Sequence, residues 1–301
     1  MAERAANREV GLIVPVLTAF DADGGLDWAA MAEEVEYLVE VVRPTMIALA
    51  AVEVSEYQYL TEAERGELIR RLARYVDGRV PVLVGISHPA PRVARTWADL
   101  AASVGASGVQ LLLPRRASGG NPSLRELVDY VRQVAAGLSL PLFLYHNPGP
   151  GTEVGPEALA ELARIEGVRG IKESSRNLRH IGLALRLLPD HVAYFTTMEV
   201  MTASLVLGAK GVTMPPPAAL VGRRLADAVG RGDWEEAHRL QAVFAEFPAR
   251  WMHHGLTAVM KAAMAVVGVP IGDPYPPYAR LSAPEREALA AYLADHPAFR
   301  P

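Results

Sequence analysis

Short apolar segments alternate with amphipathic segments along the first two-thirds of the chain. Most of the short segments are continuously apolar rather than alternating, which is typical of strands buried on both faces of a parallel sheet. Eight segments are predicted as strands: Gly11–Thr18, Thr45–Val52, Pro81–Ser87, Gly108–Pro114, Pro141–Asn147, Val168–Ser174, Val192–Met198 and Gly211–Pro215.

The segments between these strands have the apolar spacing of helices. Examples are Trp28–Val42, Glu62–Val76, Pro91–Val104, Ser123–Ala136 and Pro156–Arg164. Asp27, Thr61 and Ser123 stand where N-terminal caps are expected. Eight strand–helix repeats indicate an α/β fold of the (β/α)8 TIM-barrel type. A doubly wound open sheet is the alternative, although no Gly-x-Gly-x-x-Gly turn follows the first strand.

After about residue 220 the strand pattern stops. The remaining segments predict helices at Arg224–Val229, Trp234–Phe247, Leu256–Val267 and Pro284–Ala294. Pro215–Pro217 is expected to stiffen the exit from the last strand. We therefore predict a barrel over residues 1–222 and a C-terminal helical extension, packed on that barrel, over residues 223–301.

Composition narrows the class of protein. Half of the 301 residues are hydrophobic, 21% are charged and the formal net charge is −4 without a basic block, which argues against nucleic acid as a partner. No apolar run is long enough to span a membrane, and the N-terminus lacks a hydrophobic signal core, so a cytoplasmic location is expected. The absence of cysteine excludes disulfides, thiolate nucleophiles and cysteine-based metal sites.

Lysine is scarce: only Lys172, Lys210 and Lys261 occur among 30 basic residues. Lys172 and Tyr145 stand near the ends of two successive predicted strands, and so can face each other across a pocket. A desolvated lysine can lose its proton and attack a carbonyl, and a tyrosine can act as the acid/base. This chemistry needs no metal or other cofactor. The alternatives are an ion-paired Lys172 and a hydrogen-bonded structural Tyr145.

Barrel enzymes place their active sites at the C-terminal ends of the strands. This rule selects the following candidates: Thr18, Glu53, Ser87, Arg115, Tyr145, Lys172, Thr197 and Thr213.

Several motifs, distributed through most of the chain, resemble the dihydrodipicolinate synthase / N-acetylneuraminate lyase family of Schiff-base barrels. They are Pro15–Phe20, Glu56–Arg65, Tyr145–Pro148, Gly170–Ser175 and the helix Leu256–Gly268. The resemblance implies that Lys172 forms the imine and that Tyr145 is its acid/base partner. It also implies a small-molecule carbonyl substrate and a homo-oligomer, a tetramer or dimer.

The chain departs from the family after the second strand. The family has Gly-Thr-Thr-Gly-Glu or Gly-Ser-Thr-Gly-Glu there, which binds the carboxylate of a 2-oxo acid, whereas this chain has Val52–Glu56. Glu53 and Val54 replace the two hydroxyl residues, and Ser55 follows. An ionised Glu53 would repel a carboxylate, and Val54 cannot relay a proton.

Two further departures argue against dihydrodipicolinate synthesis itself. The arginine that follows the tyrosine motif in the synthases corresponds to Pro150, and the tyrosine that they send into a neighbouring subunit corresponds to Arg115-Arg116. We hypothesise that Arg116 or Arg115 contacts an anion, and that Glu53 acts as an acid/base or recognises a hydroxyl or cationic group. A structural ion pair of Glu53 is the alternative. Thr18, Val54, Ser55 and Thr213 complete the predicted substrate-binding set.

The histidines are weaker candidates. The rings of adjacent His253 and His254 are expected to point apart and make a poor metal pair, and no other ligand spacing is present, so no metal is predicted. His146 is expected to face the surrounding helices, and His180 to lie on a helix, either at the surface or packed in the core.

These observations favour a class I lyase or aldolase acting on a 2-oxo acid such as pyruvate or on a sugar-acid-derived substrate. One alternative is a Schiff-base hydratase or dehydratase acting on a non-pyruvate carbonyl. The other is a catalytically silent barrel that binds a metabolite.

Overall fold

The computed structural model describes residues 10–51, 53–116, 118 and 120–301, with the backbone but not the side chain of Glu53. Its eight strands form a closed barrel in chain order, which confirms the (β/α)8 prediction. The strands are β1 Gly11–Pro15, β2 Met46–Leu49, β3 Val82–Gly85, β4 Gly108–Leu112, β5 Leu142–His146, β6 Val168–Glu173, β7 Ala193–Thr196 and β8 Gly211–Thr213.

Each strand lies inside its predicted segment and is shorter than that segment. Strands β1, β3 and β5 are buried at every position, so both faces of the sheet are covered. This double burial is why the strand sequences read as continuous apolar runs.

Eleven helices accompany the strands among the described residues. They are α1 Trp28–Glu36, α2 Glu62–Val76, α3 Pro91–Ser103, α4 Leu124–Ala135, α5 Pro156–Ala163, α6 Leu178–Leu187, α7 Met201–Leu207, α8 Pro216–Gly230, α9 Trp234–Ala242, α10 Leu256–Val266 and α11 Ala283–Asp295. A π-helical segment, Tyr37–Val42, continues α1. None of the described helices is long and apolar enough to cross a membrane.

The predicted N-terminal caps are present. Asp27 accepts hydrogen bonds from the first turn of α1, and Thr61 and Ser123 form capping boxes at the starts of α2 and α4. Each cap satisfies amide groups that have no partner within the helix.

Helix α8 starts earlier than the predicted segment Arg224–Val229. Its first turn contains Pro216 and Pro217, which were expected only to stiffen the exit from the last strand. Proline is tolerated in the first turn of a helix, where its missing N–H would have no intrahelical partner. The predicted boundary between residues 222 and 223 therefore falls inside α8, and the separation of a barrel from an extension at that point stays a prediction.

The chain forms two compact units. The first comprises the residues up to Val80 together with Met214–Pro301, and it contains β1, β2, α1, α2 and α8–α11. The second comprises Pro81–Thr213 and contains β3–β8 and α3–α7. Lys172 and Tyr145 both lie in the second unit.

Candidate active site

Strand pairing brings Lys172 and Tyr145 together. They are register partners on the parallel strands β5 and β6, so their side chains project from the same face of the sheet. The Lys172 Nζ atom lies 3.6 Å from the centroid of the Tyr145 ring. Lys172 is 6% exposed and Tyr145 is 2% exposed. The ammonium is therefore largely removed from water, an environment that disfavours the charged form of an amine.

The Tyr145 hydroxyl receives hydrogen bonds from residues that follow the two strands. Asn147 Nδ2 donates to Tyr145 Oη at 2.7 Å, and Ser174 Oγ lies 3.5 Å from the same oxygen. The Asn147 amide is oriented because its Oδ1 accepts the Gly149 N–H at 3.1 Å. Donors directed at the phenol oxygen stabilise negative charge on it, which suits a group that gives up and regains a proton.

Gly170 makes room for an aromatic ring beside the lysine. Gly170 precedes Lys172 by two residues on β6, so both residues face the same side of the sheet. A Cβ atom on Gly170 would lie 2.2 Å from Cδ1 of Phe143, so no larger residue fits without moving that ring. The Phe143 ring in turn lies near Phe195, with centroids 6.2 Å apart. Aromatic packing therefore fills the barrel interior on the N-terminal side of the lysine.

The next pair of residues on β5 and β6 faces the opposite way. His146 and Glu173 are register partners, and His146 Nδ1 lies 2.8 Å from the nearer Glu173 oxygen. The His180 ring of α6 stacks on His146 with centroids 5.2 Å apart, which confirms that His146 faces the surrounding helices. Tyr194 donates its hydroxyl hydrogen to Glu173 at 2.9 Å.

These donors fix the charge of Glu173. Burial alone would raise the pKa of this carboxyl, but hydrogen bonds from His146 and His180 lower the pKa to about 2. Burial and the nearby Glu173 charge raise the pKa of the Tyr194 hydroxyl. Glu173 is therefore an ionised, multiply hydrogen-bonded group that anchors β6 immediately after Lys172.

Thr197 follows β7 directly, and Thr213 is the last residue of β8. Thr196 and Val212 are register partners, so Thr197 and Thr213 occupy neighbouring positions one residue later. Thr196 bonds to Ser204 of α7, and alternation therefore directs Thr197 to the other face of the sheet. Both Thr197 Oγ1 and Thr213 Oγ1 are buried without a hydrogen-bond partner among the described residues. A buried, unpaired hydroxyl is costly unless another molecule supplies the partner.

The predicted substrate residues of the first unit are largely engaged with the backbone. Thr18 Oγ1 donates to the carbonyl of Ser55, and Ser55 Oγ donates to the carbonyl of Val16 at 2.8 Å. Val54 is buried, while the side chain of Glu53 lies outside the described residues. The hydrogen bonds fix the 3₁₀ turn Glu53–Ser55, and the predicted roles of these residues in substrate binding stay predictions.

A buried ion pair follows this turn. Glu56 Oε2 lies 2.6 Å from Nζ of Lys261 on α10, and the side chains are 3% and 1% exposed. Lys261 also donates to the carbonyl of Asp273 at 2.8 Å. Burial raises the pKa of nearby Glu34 to about 8, although a hydrogen bond from Leu17 and the Lys261 charge oppose this shift. Lys261 is thus a paired structural lysine, which sequence analysis placed in a helix without assigning a role.

The loop after β4 holds the two candidate arginines. Arg116 forms a salt bridge of 2.6 Å with Glu126, the capping-box residue of α4. Arg115 Nη1 donates to the Gly149 carbonyl at 3.1 Å. The Ser87 hydroxyl accepts the Leu112 N–H at 2.9 Å. A substrate anion at Arg116 would have to compete with Glu126, so the predicted anion contact stays a prediction.

The expectation that the rings of His253 and His254 point apart is wrong. Their ring centroids lie 4.0 Å apart, and the Nε2 atoms lie 3.2 and 2.5 Å from one oxygen of Glu285. Both histidines belong to a 3₁₀ helix, Ala249–His254, whose tighter winding the sequence pattern did not reveal.

The strand order is that of a (β/α)8 barrel, and Tyr145 and Lys172 are paired on its fifth and sixth strands. A match to the dihydrodipicolinate synthetase family spans residues 8–296, and the chain belongs to this family.

Two curated relatives illustrate the similarity. An uncharacterized DapA-like lyase of Halobacterium salinarum is 32% identical over 95% of this chain and 93% of its own length. Escherichia coli YjhH, named as a probable 2-dehydro-3-deoxy-D-pentonate aldolase, is 28% identical over 87% of this chain and 88% of its own length.

A solved structure shows the same fold. The structure of Escherichia coli YagE, a prophage protein of the dihydrodipicolinic acid synthase family in complex with pyruvate, matches with a TM-score of 0.87. The two chains are 24% identical, and the match covers 95% of this chain and 98% of YagE.

Proposed function

We propose that this protein is a class I lyase in which Lys172 forms a Schiff base with a 2-oxo acid and Tyr145 transfers protons. The observation that carries the proposal is the buried Lys172–Tyr145 pair, with the amine 3.6 Å from the ring centroid. Membership of a lyase and aldolase family supports the reaction class.

In the proposed first step, the neutral Lys172 amine attacks the ketone carbon. The carbonyl oxygen leaves as water after two proton transfers, and a C=N bond replaces the C=O bond. Tyr145 donates and accepts those protons, supported by the hydrogen bond from Asn147. The protonated imine then accepts the electron pair of the breaking C3–C4 bond while the C4 hydroxyl loses its proton, which releases an aldehyde and leaves an enamine on Lys172. Protonation of the enamine at C3 gives the imine of pyruvate, and its hydrolysis by water returns the Lys172 amine and pyruvate.

A sugar-acid-derived 2-oxo acid is the preferred substrate class. Thr197 and Thr213 present buried hydroxyls without described partners near the ends of adjacent strands, and a polyhydroxylated substrate would supply those partners. The name of the relative YjhH supports the same class. Dihydrodipicolinate synthesis itself is disfavoured because Pro150 and Arg115-Arg116 replace the arginine and tyrosine expected of a synthase.

A hydratase or dehydratase acting on a non-pyruvate carbonyl is the second candidate. The observation in its favour is Val54, a buried apolar side chain where the family has a hydroxyl for carboxylate binding and proton relay. We also propose a cytoplasmic location and a dimeric or tetrameric assembly for the enzyme.

The test is pyruvate release from a panel of 2-oxo-3-deoxy sugar acids, measured with a coupled lactate dehydrogenase assay. Wild type is compared with Lys172→Arg and Tyr145→Phe, and Lys210→Arg serves as the matched control because Lys210 is exposed. Turnover lost in the first two variants and retained in the control would support the proposal. Turnover retained in Lys172→Arg would refute it, and activity only on non-pyruvate carbonyls would favour the second candidate.

A further inference from the structure

Three potential metal ligands converge on the C-terminal part of the first unit. His253 Nε2 and His254 Nε2 lie 3.2 and 2.5 Å from the same oxygen, Glu285 Oε1. The ligand atoms of the three residues all lie within 4.8 Å of one another. None of these residues participates in the lysine and tyrosine chemistry proposed above.

The Glu285 carboxylate is held in a fixed orientation. Its other oxygen, Oε2, accepts hydrogen bonds from Ser282 Oγ at 2.7 Å and from the Ser282 N–H at 3.3 Å, in the capping box of α11. Oε1 is therefore left to face the two histidines. Such outer hydrogen bonds orient the ligands of metal sites.

The spacing and the donor types fit a small transition-metal ion. Zn²⁺ binds imidazole nitrogen and carboxylate oxygen at about 2.0–2.2 Å, so two tetrahedral ligands lie about 3.3 Å apart. The distance of 3.2 Å between His253 Nε2 and Glu285 Oε1 matches this ligand–ligand distance. A small shift of His254 would lengthen the distance between its Nε2 and Glu285 Oε1, now 2.5 Å, to a similar value. His253 is 64% exposed, which gives an ion and its water ligands access to the site.

We propose that His253, His254 and Glu285 form a binding site for Zn²⁺ or a similar transition-metal ion. The ion would join the 3₁₀ helix Ala249–His254 to the first turn of α11 and would stabilise this part of the chain. Two imidazoles with one carboxylate favour such ions over Mg²⁺ and Ca²⁺, which prefer oxygen ligands.

The second histidine and carboxylate cluster is a poorer metal site. In that cluster His146 Nε2 accepts the Val154 N–H at 3.1 Å, so Nδ1 carries the ring proton and donates it to Glu173. Both nitrogens of His146 are thereby engaged, and only His180 and Glu173 could offer lone pairs.

The experiment uses untagged, full-length protein freed of metal with a chelator and titrated with Zn²⁺ alone in a calorimeter. The test variants are His254→Ala and Glu285→Gln. Glutamine retains the capping box but removes the anionic ligand. His191→Ala is the matched control because His191 is exposed and lies outside the cluster. Circular dichroism verifies that each metal-free variant is folded.

We expect one Zn²⁺ per chain, a rise in the Tm of wild type on loading, and unchanged binding by His191→Ala. Loss of a residue that only hydrogen-bonds to a metal ligand lowers metal affinity by roughly 10–100-fold. Because each test variant removes a ligand itself, we expect its Zn²⁺ affinity to fall by more than this. An absence of Zn²⁺ binding by wild type would overturn the proposal. Wild-type affinity in the His253→Ala/His254→Ala double variant, or equal binding of Mg²⁺ at the site, would also overturn it.

Discussion

Gly170→Ala tests how tightly the barrel interior is packed on the N-terminal side of the candidate lysine. The new Cβ atom would lie 2.2, 2.4 and 2.9 Å from three ring atoms of Phe143, whereas ordinary contact begins at 3.4 Å. The ring would have to retreat by about 1 Å or more. The Phe143 ring has little space to move, because the Phe195 ring lies beside it. The backbone of Gly108 is also close, since a Cβ atom built on Gly108 would lie 3.3 Å from Cε2 of Phe143. Overpacking of this kind costs about 1–3 kcal/mol of stability.

Urea unfolding of Gly170→Ala and wild type measures this loss. The matched control is Gly182→Ala on α6, where the new Cβ lies 3.8 Å from Leu207 Cδ1 and should be neutral or stabilise by up to about 1 kcal/mol. Because the strain is transmitted through Phe143, the double variant Gly170→Ala/Phe143→Leu should lose less than the sum of the two single losses. A Gly170→Ala protein as stable as wild type, or additive losses in the double variant, would refute the packing argument.

Four other outcomes follow from the geometry. Glu56→Gln and Lys261→Met should each destabilise the protein by about 3–5 kcal/mol in urea unfolding, with a smaller loss in the double variant than the sum; additive losses would contradict the buried pair. Glu34 has a folded pKa raised from 4.5 to about 8, so its contribution to stability is fully present below pH 4.5 and is lost as the pH rises through 8. The difference in Tm between Glu34→Gln and wild type should therefore shift in favour of the variant as the pH rises from about 5 to 9. A difference in Tm that does not change with pH would contradict this. Tyr145→Phe should reduce kcat by about 10²–10⁴-fold, and unchanged turnover would exclude the acid/base role. Asn147→Leu should reduce kcat by roughly tenfold through loss of one hydrogen bond to Tyr145, which kinetics at saturating substrate would detect.

The barrel could be predicted from sequence because burial determines the apolar pattern of its strands, and local capping residues mark where its helices begin. Doubly buried strands produced continuous apolar runs, and caps such as Thr61 and Ser123 marked the starts of helices through local hydrogen bonds. The start of α8 was missed because proline has two structural meanings. Proline interrupts a helix when it lies in the interior, but it is tolerated in the first turn. Pro216 and Pro217 lie in the first turn of α8.

The candidate site was only partly predictable. The pairing of Tyr145 with Lys172 could be anticipated, since the ends of successive parallel strands meet at one edge of the sheet. The role of Asn147 could not be anticipated, because a side chain that folds back two residues leaves no periodic signal. The convergence of His253 with His254 was missed for a related reason. Both rings turn toward one oxygen of Glu285, which lies 32 and 31 residues further along the chain and is not indicated by the adjacency of the two histidines.

Borohydride trapping tests directly whether Lys172 forms an imine with a 2-oxo acid. The protein is incubated with pyruvate or another 2-oxo acid, reduced with borohydride, digested and analysed by peptide mass spectrometry. The chain has three lysines, so exposed Lys210 and ion-paired Lys261 are internal controls in the same sample. We expect a reduced adduct at Lys172 that is absent from Lys172→Arg. Folded protein with no adduct for any 2-oxo acid, or with an adduct at Lys210 alone, would contradict imine formation at Lys172.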